Sequence, residues 1–140
     1  DTLNDWYWPE AVAENVPNMD SSSYKISNQH DYILLERPRD YVVVPDEQPA
    51  MLAELVAACK QSGTRNVLIV GPNTKVALST LDGIDLGEQI AKSRLKIAVV
   101  EVHDAAAEDA EFLENVVWNR GGQIRFFGSK KEAEDWLGTS

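Results

Sequence analysis

From Lys96 onward the chain spells out a strand, a helix, a second strand and a second helix, and this alternation limits the fold more than any other feature. The β-branched run Lys96-Ile-Ala-Val-Val-Glu-Val102 predicts a strand, and a helical segment follows from about Ala105 to Asn119. Asp104 is placed to cap that helix, and Glu108, Asp109 and Glu111 suit the positive end of its dipole. Its apolar stripe is Phe112, Leu113, Val116 and Val117; Arg120 sits at the negative end, and Gly121-Gly122 is the stop. Gln123 to Phe127 then reads as a strand, and Ser129-Lys-Lys-Glu132 opens a closing helix that carries Ala133, Trp136 and Leu137. Such a chain builds an α/β domain with helices on a largely parallel or mixed sheet.

Upstream, the same logic extends to Tyr24. Tyr24 to Ser27 and Asp31 to Glu36 are strand-like runs separated by the turn formers Asn28-Gln-His-Asp31, which predicts an N-terminal hairpin with His30 in its turn. A third run, Tyr41 to Val44, ends at Pro45. Pro49 suits a first helical turn with Gln48 or Asp46 as cap. Met51 or Leu52, Leu55, Val56 and Cys59 recur at helical spacing up to Gly63, so Cys59 is expected to be an inert buried thiol. Asn66 to Val70 is a short apolar run ending at Gly71-Pro72-Asn73. It and Ile97 to Val102 are expected at the centre of the sheet, shielded on both faces.

The segment Ser79 to Ser93 predicts a helix opened by Ser79-Thr-Leu-Asp82, a capping box in which Asp replaces the usual Glu or Gln. Gly83 and Gly87 stand four apart on it and weaken it by about 1 kcal/mol each relative to alanine, a loss that closer packing would offset. The neighbouring Ile84, Leu86 and Ile90 are expected to lie on the sheet.

Composition bounds the possible roles. A chain of 140 residues suits one domain that buries roughly two-thirds of its unfolded surface. Its one cysteine leaves no internal disulfide to form. With no charged-then-apolar leader and no apolar run near the ~20 residues of a membrane span, the expectation is a soluble, cytoplasmic protein without a membrane partner. A formal charge of −10, from 23 acidic and 13 basic residues, argues against nucleic acid. The densest cations, Lys92, Arg94 and Lys96, read as a solvated helix end.

Residues 1–23 read as an N-terminal extension of a domain spanning 24–138. They hold the aromatic cluster Trp6-Tyr7-Trp8, and Met19 offers a natural domain start. The segment is therefore either appended or a genuine extension whose rings are buried on this domain or on a neighbouring chain of a homo-oligomer.

Catalytic signals are few. His103-Asp104 lies at a strand's C-terminal end, where α/β proteins place functional groups, but no nucleophile accompanies it. Gly71-Pro-Asn-Thr-Lys75 lacks the arrangement of a phosphate loop, the strand ends lack the acidic pair of a response-regulator receiver, and no Cys/His spacing supports a metal. No cofactor is expected.

The element order, together with Asn119-Arg-Gly121, Ile124-Arg-Phe-Phe127 and Glu132-Ala-x-x-Trp-Leu137, resembles the STAS architecture of anti-sigma-factor antagonists, and within it the bacterial SpoIIAA-like group. The resemblance covers roughly Tyr24 to Leu137. It implies a non-catalytic regulatory module that binds a protein partner, with Ser79, Thr80, Asp82, Gly83 and Gly87 on the partner-binding face. It also implies an alternative, a carrier or sensor of a small hydrophobic ligand in the manner of CRAL-TRIO domains; a third reading, resting on the strand-end pair and not on the resemblance, is a hydrolase-type enzyme using His103 and Asp104.

In that family a hydroxyl at the start of the helix after the central strand can be phosphorylated, a position matched here by Ser79 and Thr80. The family's Asp-Ser-Ser-Gly pattern is replaced by Ala77-Leu-Ser-Thr-Leu-Asp-Gly83, and Asp82 and Asp85 would repel a phosphate one turn away. Ser79→Asp, which still caps, is therefore expected to change unfolding free energy by less than about 0.5 kcal/mol and to leave partner binding intact. Phosphorylated Ser79 or Thr80 recovered from cells, with loss of a partner in the Ser79→Asp variant, would establish the switch instead.

Overall fold

The computed structural model describes residues 24–102 and 107–138. The aromatic cluster Trp6-Tyr7-Trp8, the pair His103-Asp104 and the cap expected from Asp104 lie outside the described residues. Six strands form one mixed sheet: β1 (Lys25–Asn28), β2 (Ile33–Glu36), β3 (Val42–Val43), β4 (Asn66–Val76), β5 (Lys96–Val102) and β6 (Gln123–Phe127). The helices are α1 (Gln48–Ser62), α2 (Thr80–Ser93), α3 (Ala107–Asn119) and α4 (Lys130–Leu137). None of them is long and apolar enough to cross a membrane.

The strand order is β1-β2-β4-β5-β6, with β1 antiparallel to β2 and every later neighbour parallel; β3 pairs with the far end of β4. The predicted hairpin is thus present, its turn closed by Asn28 Oδ1 accepting from the His30 amide at 2.8 Å, with His30 in the left-handed region at φ 73°. From β2 each crossover steps one strand in the same direction. Because parallel crossovers share one hand, α1, α2 and α3 all fall on one face. Side chains of alternate residues then sort the core in two. Ile33, Leu35, Val67, Ile69, Ile97 and Val99 face the three helices. Leu34, Leu68, Ala98 and Val100 face Ala133 and Leu137 of α4 on the other side.

This sorting explains the continuous apolar runs of β4 and β5. Val67 to Ile69 and Ile97 to Val100 are all buried, as a strand covered on both faces requires. Expected to stop at Val70, β4 instead continues to Val76 across a register break between Val70 and Thr74. The reason is local: Thr74 Oγ1 donates to the Gly71 carbonyl at 2.9 Å and Asn73 adopts φ 58°, so Gly71-Pro72-Asn73 kinks the strand without ending it. Beyond the kink, β4 gives β3 its partner. That pairing involves only Val42 and Val43, shorter than the expected Tyr41 to Val44.

The helix ends follow their sequence signals with two exceptions. Ser79 caps α2 as predicted, with Ser79 Oγ accepting from the Asp82 amide and Asp82 Oδ2 accepting from the Ser79 amide, both at 3.1 Å. Gly63 and Gly121 take the left-handed conformation expected after α1 and α3. For α1, however, neither Gln48 nor Asp46 caps. A 3-10 turn at Pro45–Glu47 runs straight into the helix, Glu47 occupies the cap position without a side-chain bond, and Gln48 Nε2 donates to the Val44 carbonyl at 2.9 Å. Ile84 is the second exception. Two residues from Leu86 it points to the opposite side of α2, so it is only partly buried while Leu86 and Ile90 join the core.

Gly83 and Gly87 were expected on a partner-binding face; both are buried under α3 instead. A Cβ on Gly87 would lie 2.4 Å from Val116 Cγ1, whereas one on Gly83 would lie 3.2 Å from the ring of Phe112, which is exposed enough to move aside. The two glycines therefore separate two opposing effects. Gly83→Ala should gain up to about 1 kcal/mol of helix propensity. Gly87→Ala meets an overpacking cost of about 1–3 kcal/mol that outweighs the same gain, and Val116→Ala in the same chain should relieve it. Chemical denaturation of the two single variants and the Gly87/Val116 pair decides this; equal effects at the two glycines would refute the packing argument.

Candidate ligand-binding cavity

The three helices on one face do not fill the space they enclose. Between them and the sheet lies a cavity of about 160 Å³. Its floor is Ile69, Ile97 and Val99 of the central strands; Met51 and Leu55 of α1, Leu86 and Ile90 of α2, and Ala110 and Leu113 of α3 form the walls. Ser79, Thr80 and Asp109 also line it and are exposed, which puts the mouth between the N-terminal turns of α2 and α3. Of the expected site residues the structure thus brings Ser79, Thr80 and Gly83 to this cavity. Asp82 is held in the capping box, and Gly87 lies against α3.

Polar atoms on the inner wall are satisfied, with one exception. Gln48 and Thr74 bond to backbone carbonyls as described above. Arg37, at the C-terminal end of β2, is anchored by its amide to the Val70 carbonyl at 2.8 Å, but its Nε is shielded from water and has no hydrogen-bond partner. The guanidinium carbon stands over the Tyr41 ring, 5.1 Å from its centroid, and Arg37 forms no ion pair among the described residues. Burial lowers the Arg37 pKa to about 10, which still leaves the group charged at neutral pH. Room for its stem comes from Gly71, where a Cβ would meet both Arg37 Cβ and Thr74 Oγ1 at 2.8 Å.

Two acidic groups close by are committed elsewhere. Glu47 Oε1 accepts from the Tyr41 hydroxyl at 2.7 Å, and Glu54 accepts from the Tyr24 hydroxyl. On the other face Tyr32 donates to Glu134 at 2.9 Å. Cys59, as expected, is fully buried and free, and burial pushes its thiol up to about 12. The cation run Lys92, Arg94 and Lys96 does not form a patch. Lys96 Nζ lies 4.8 Å from the Trp136 ring centroid and donates to the Trp136 carbonyl at 2.8 Å, while Arg94 ends α2 in the left-handed conformation. No group of three His, Cys, Asp or Glu side chains suited to a metal occurs among the described residues.

Sequence reasoning passed over Arg37, which lies in Arg37-Pro-Arg-Asp40 between the second and third strand-like runs. A usable signal was its place directly after a strand that pairs in parallel, since open α/β sheets bind ligands beyond the C-terminal ends of their strands.

Comparison with solved structures finds a similarity to the crystal structure of an uncharacterized protein from the DUF3478 family with a SpoIIAA-like fold, from Shewanella loihica PV-4. The two share 18% sequence identity over 86% of this chain and 99% of that one, with a TM-score of 0.48. No protein-family model and no curated protein matches the chain.

The tyrosines give the fold a pH dependence. Burial first, and then the hydrogen bond to a glutamate, raises Tyr32 and Tyr41 to about 12 and Tyr24 higher still, from an ordinary value of about 10. The folded protein therefore keeps phenolic protons that the unfolded chain releases. Their contribution to stability is complete below pH ~10 and is lost as pH rises through about 12. Melting temperature should fall steeply over that interval, and Tyr41→Phe should flatten part of the fall. Ordinary phenol titration in the folded protein at Tyr24, Tyr32 and Tyr41 would contradict the bonding described.

Proposed function

We propose that this chain acts by binding rather than by catalysis, and that its site is the cavity between the sheet and α1 to α3, which takes a small apolar ligand. The carrying observation is the cavity itself: about 160 Å³, lined mainly by aliphatic side chains and open beside Ser79 and Thr80. A dry cavity of ~150 Å³ in another protein is known to hold a single aromatic ring, which sets the scale of the ligand. Among the described residues Arg37 and Asp109 are the titratable groups on its lining, and the Ser79 hydroxyl beside Asp109 at the mouth is engaged with the Asp82 amide. This supports a carrier or sensor over a hydrolase.

Regulatory protein interaction is the second reading, and a separate observation favours it. Leu81, in the first turn of α2, is 74% exposed, and Phe112 on the covering helix is 38% exposed. Both flank the hydroxyls of Ser79 and Thr80, so a partner docked there would sit over the mouth of the cavity. A ligand inside could then influence a partner outside.

The cavity reading is tested with benzyl alcohol as a neutral probe. Saturable binding should perturb methyl signals of Leu55, Val99 and Leu113 in NMR spectra, and a probe concentration of ten times Kd should stabilise the fold by about 1.4 kcal/mol. Ala110→Leu, which adds volume inside the cavity, should abolish binding without lowering melting temperature. Absence of saturable shifts at these methyls would leave the exposed α2 rim as the better candidate.

A further inference from the structure

Arg37 presents a problem that the apolar ligand alone does not solve. A guanidinium removed from water is strongly destabilised unless a counter-charge and hydrogen-bond acceptors replace the solvent. Here Nε has no acceptor, no carboxylate among the described residues pairs with the guanidinium, and the cavity wall beside it is mainly aliphatic. Nε is one of two shielded side-chain atoms left without a partner among the described residues, and Arg37 lines the cavity. The cost is built in by more than one residue: Gly71 must lack a side chain for the Arg37 stem to lie where it does, and the Tyr41 ring supports the guanidinium from one side.

Resting on the cavity reading above, we propose that Arg37 is the counter-ion of the ligand, and that the ligand is a small monocarboxylate whose apolar body fills the cavity. A guanidinium stacked on an aromatic face keeps its in-plane N–H groups available, and a carboxylate accepts two of them in parallel. The N-terminus of α2 adds little to this potential, because the Asp82 carboxylate in its capping box and Asp85 in the next turn offset the positive end of the helix. Asp109 at the mouth opposes an anion, but it is exposed and screened by solvent, whereas Arg37 is only partly exposed and its Nε is shielded. The size of the cavity limits the body of the acid to about one aromatic ring or a short alkyl chain.

The experiment compares benzoate, benzyl alcohol and benzylamine on the full chain by NMR titration at neutral pH. Wild-type protein should bind benzoate roughly 10- to 100-fold more tightly than benzyl alcohol, the range for a buried hydrogen bond to a charged group, and benzylamine most weakly. Arg37→Met, which keeps the length of the stem, should remove the preference for benzoate while leaving benzyl alcohol affinity within about twofold. Arg37→Lys should restore only part of it. If wild-type protein binds benzoate no better than benzyl alcohol, the carboxylate assignment fails and the apolar cavity stands. Unchanged benzoate binding in a folded Arg37→Met variant has the same consequence. Absence of saturable binding by any of the three probes overturns both readings together. The wild-type comparison needs no variant, so a poorly folding substitution leaves the test intact.

Discussion

The C-terminal end of the sheet depends on five residues of backbone, from Val70 to Thr74, where β4 slips out of register with β5. Before the slip β4 is a central strand clamped between β2 and β5. After it β4 still pairs with β5 at Thr74–Val102 and takes β3 as its other neighbour in place of β2. Thr74 holds the kink by donating to the Gly71 carbonyl, and Gly71 has no side chain because Arg37 and Thr74 already occupy the volume a Cβ would need. The same few atoms therefore bend the strand, pair β3 and position the one inner polar group that lacks a partner.

Packing elsewhere is tight, which makes the cavity informative. Gly87 and Gly122 admit neighbouring groups at distances a side chain would forbid, so α2, α3 and the turn before β6 are closely packed. At about 24 cal/mol per Å³, a void of about 160 Å³ costs on the order of 4 kcal/mol relative to a filled core. That is a large fraction of the 5–15 kcal/mol typical of whole domains. A fold that packs glycine against valine in one place and leaves such a void a few residues away has the volume distribution of a binding site. Loose packing would be spread more evenly.

Much of this architecture was legible in the sequence because it rests on periodicity and on end signals. The continuous apolar runs of β4 and β5 identified strands covered on both faces, Ser79 and Asp82 marked the start of α2, and Gly63 and Gly121 marked two helix ends. The glycine pair also correctly announced close packing, although not its direction: α3, which covers them, is remote in sequence. What was not legible depends on contacts between distant segments. Gly71-Pro72-Asn73 reads as a terminator, and only β3 as a partner makes it a kink. Arg37 reads as part of the link between two strands, and only helices that follow later in the chain shield its Nε. Helix α1 shows the same limit on a smaller scale, because the 3-10 turn before it supplies an entry that no capping side chain signals.

The outer edge of the sheet at β6 has its own guard. Glu114 of α3 reaches over and accepts a hydrogen bond from the Phe126 amide at 2.8 Å. An edge strand presents a row of free donors and acceptors that an extended segment of another molecule could pair with, and a carboxylate seated on one donor interrupts that row. Lengthwise growth of the sheet from this side, whether through fibril-like stacking or through capture of a stray peptide, would first have to dislodge a charged group from its backbone partner. The edge that carries the last parallel strand is in this way sealed against polymerisation by a side chain of its own crossover helix.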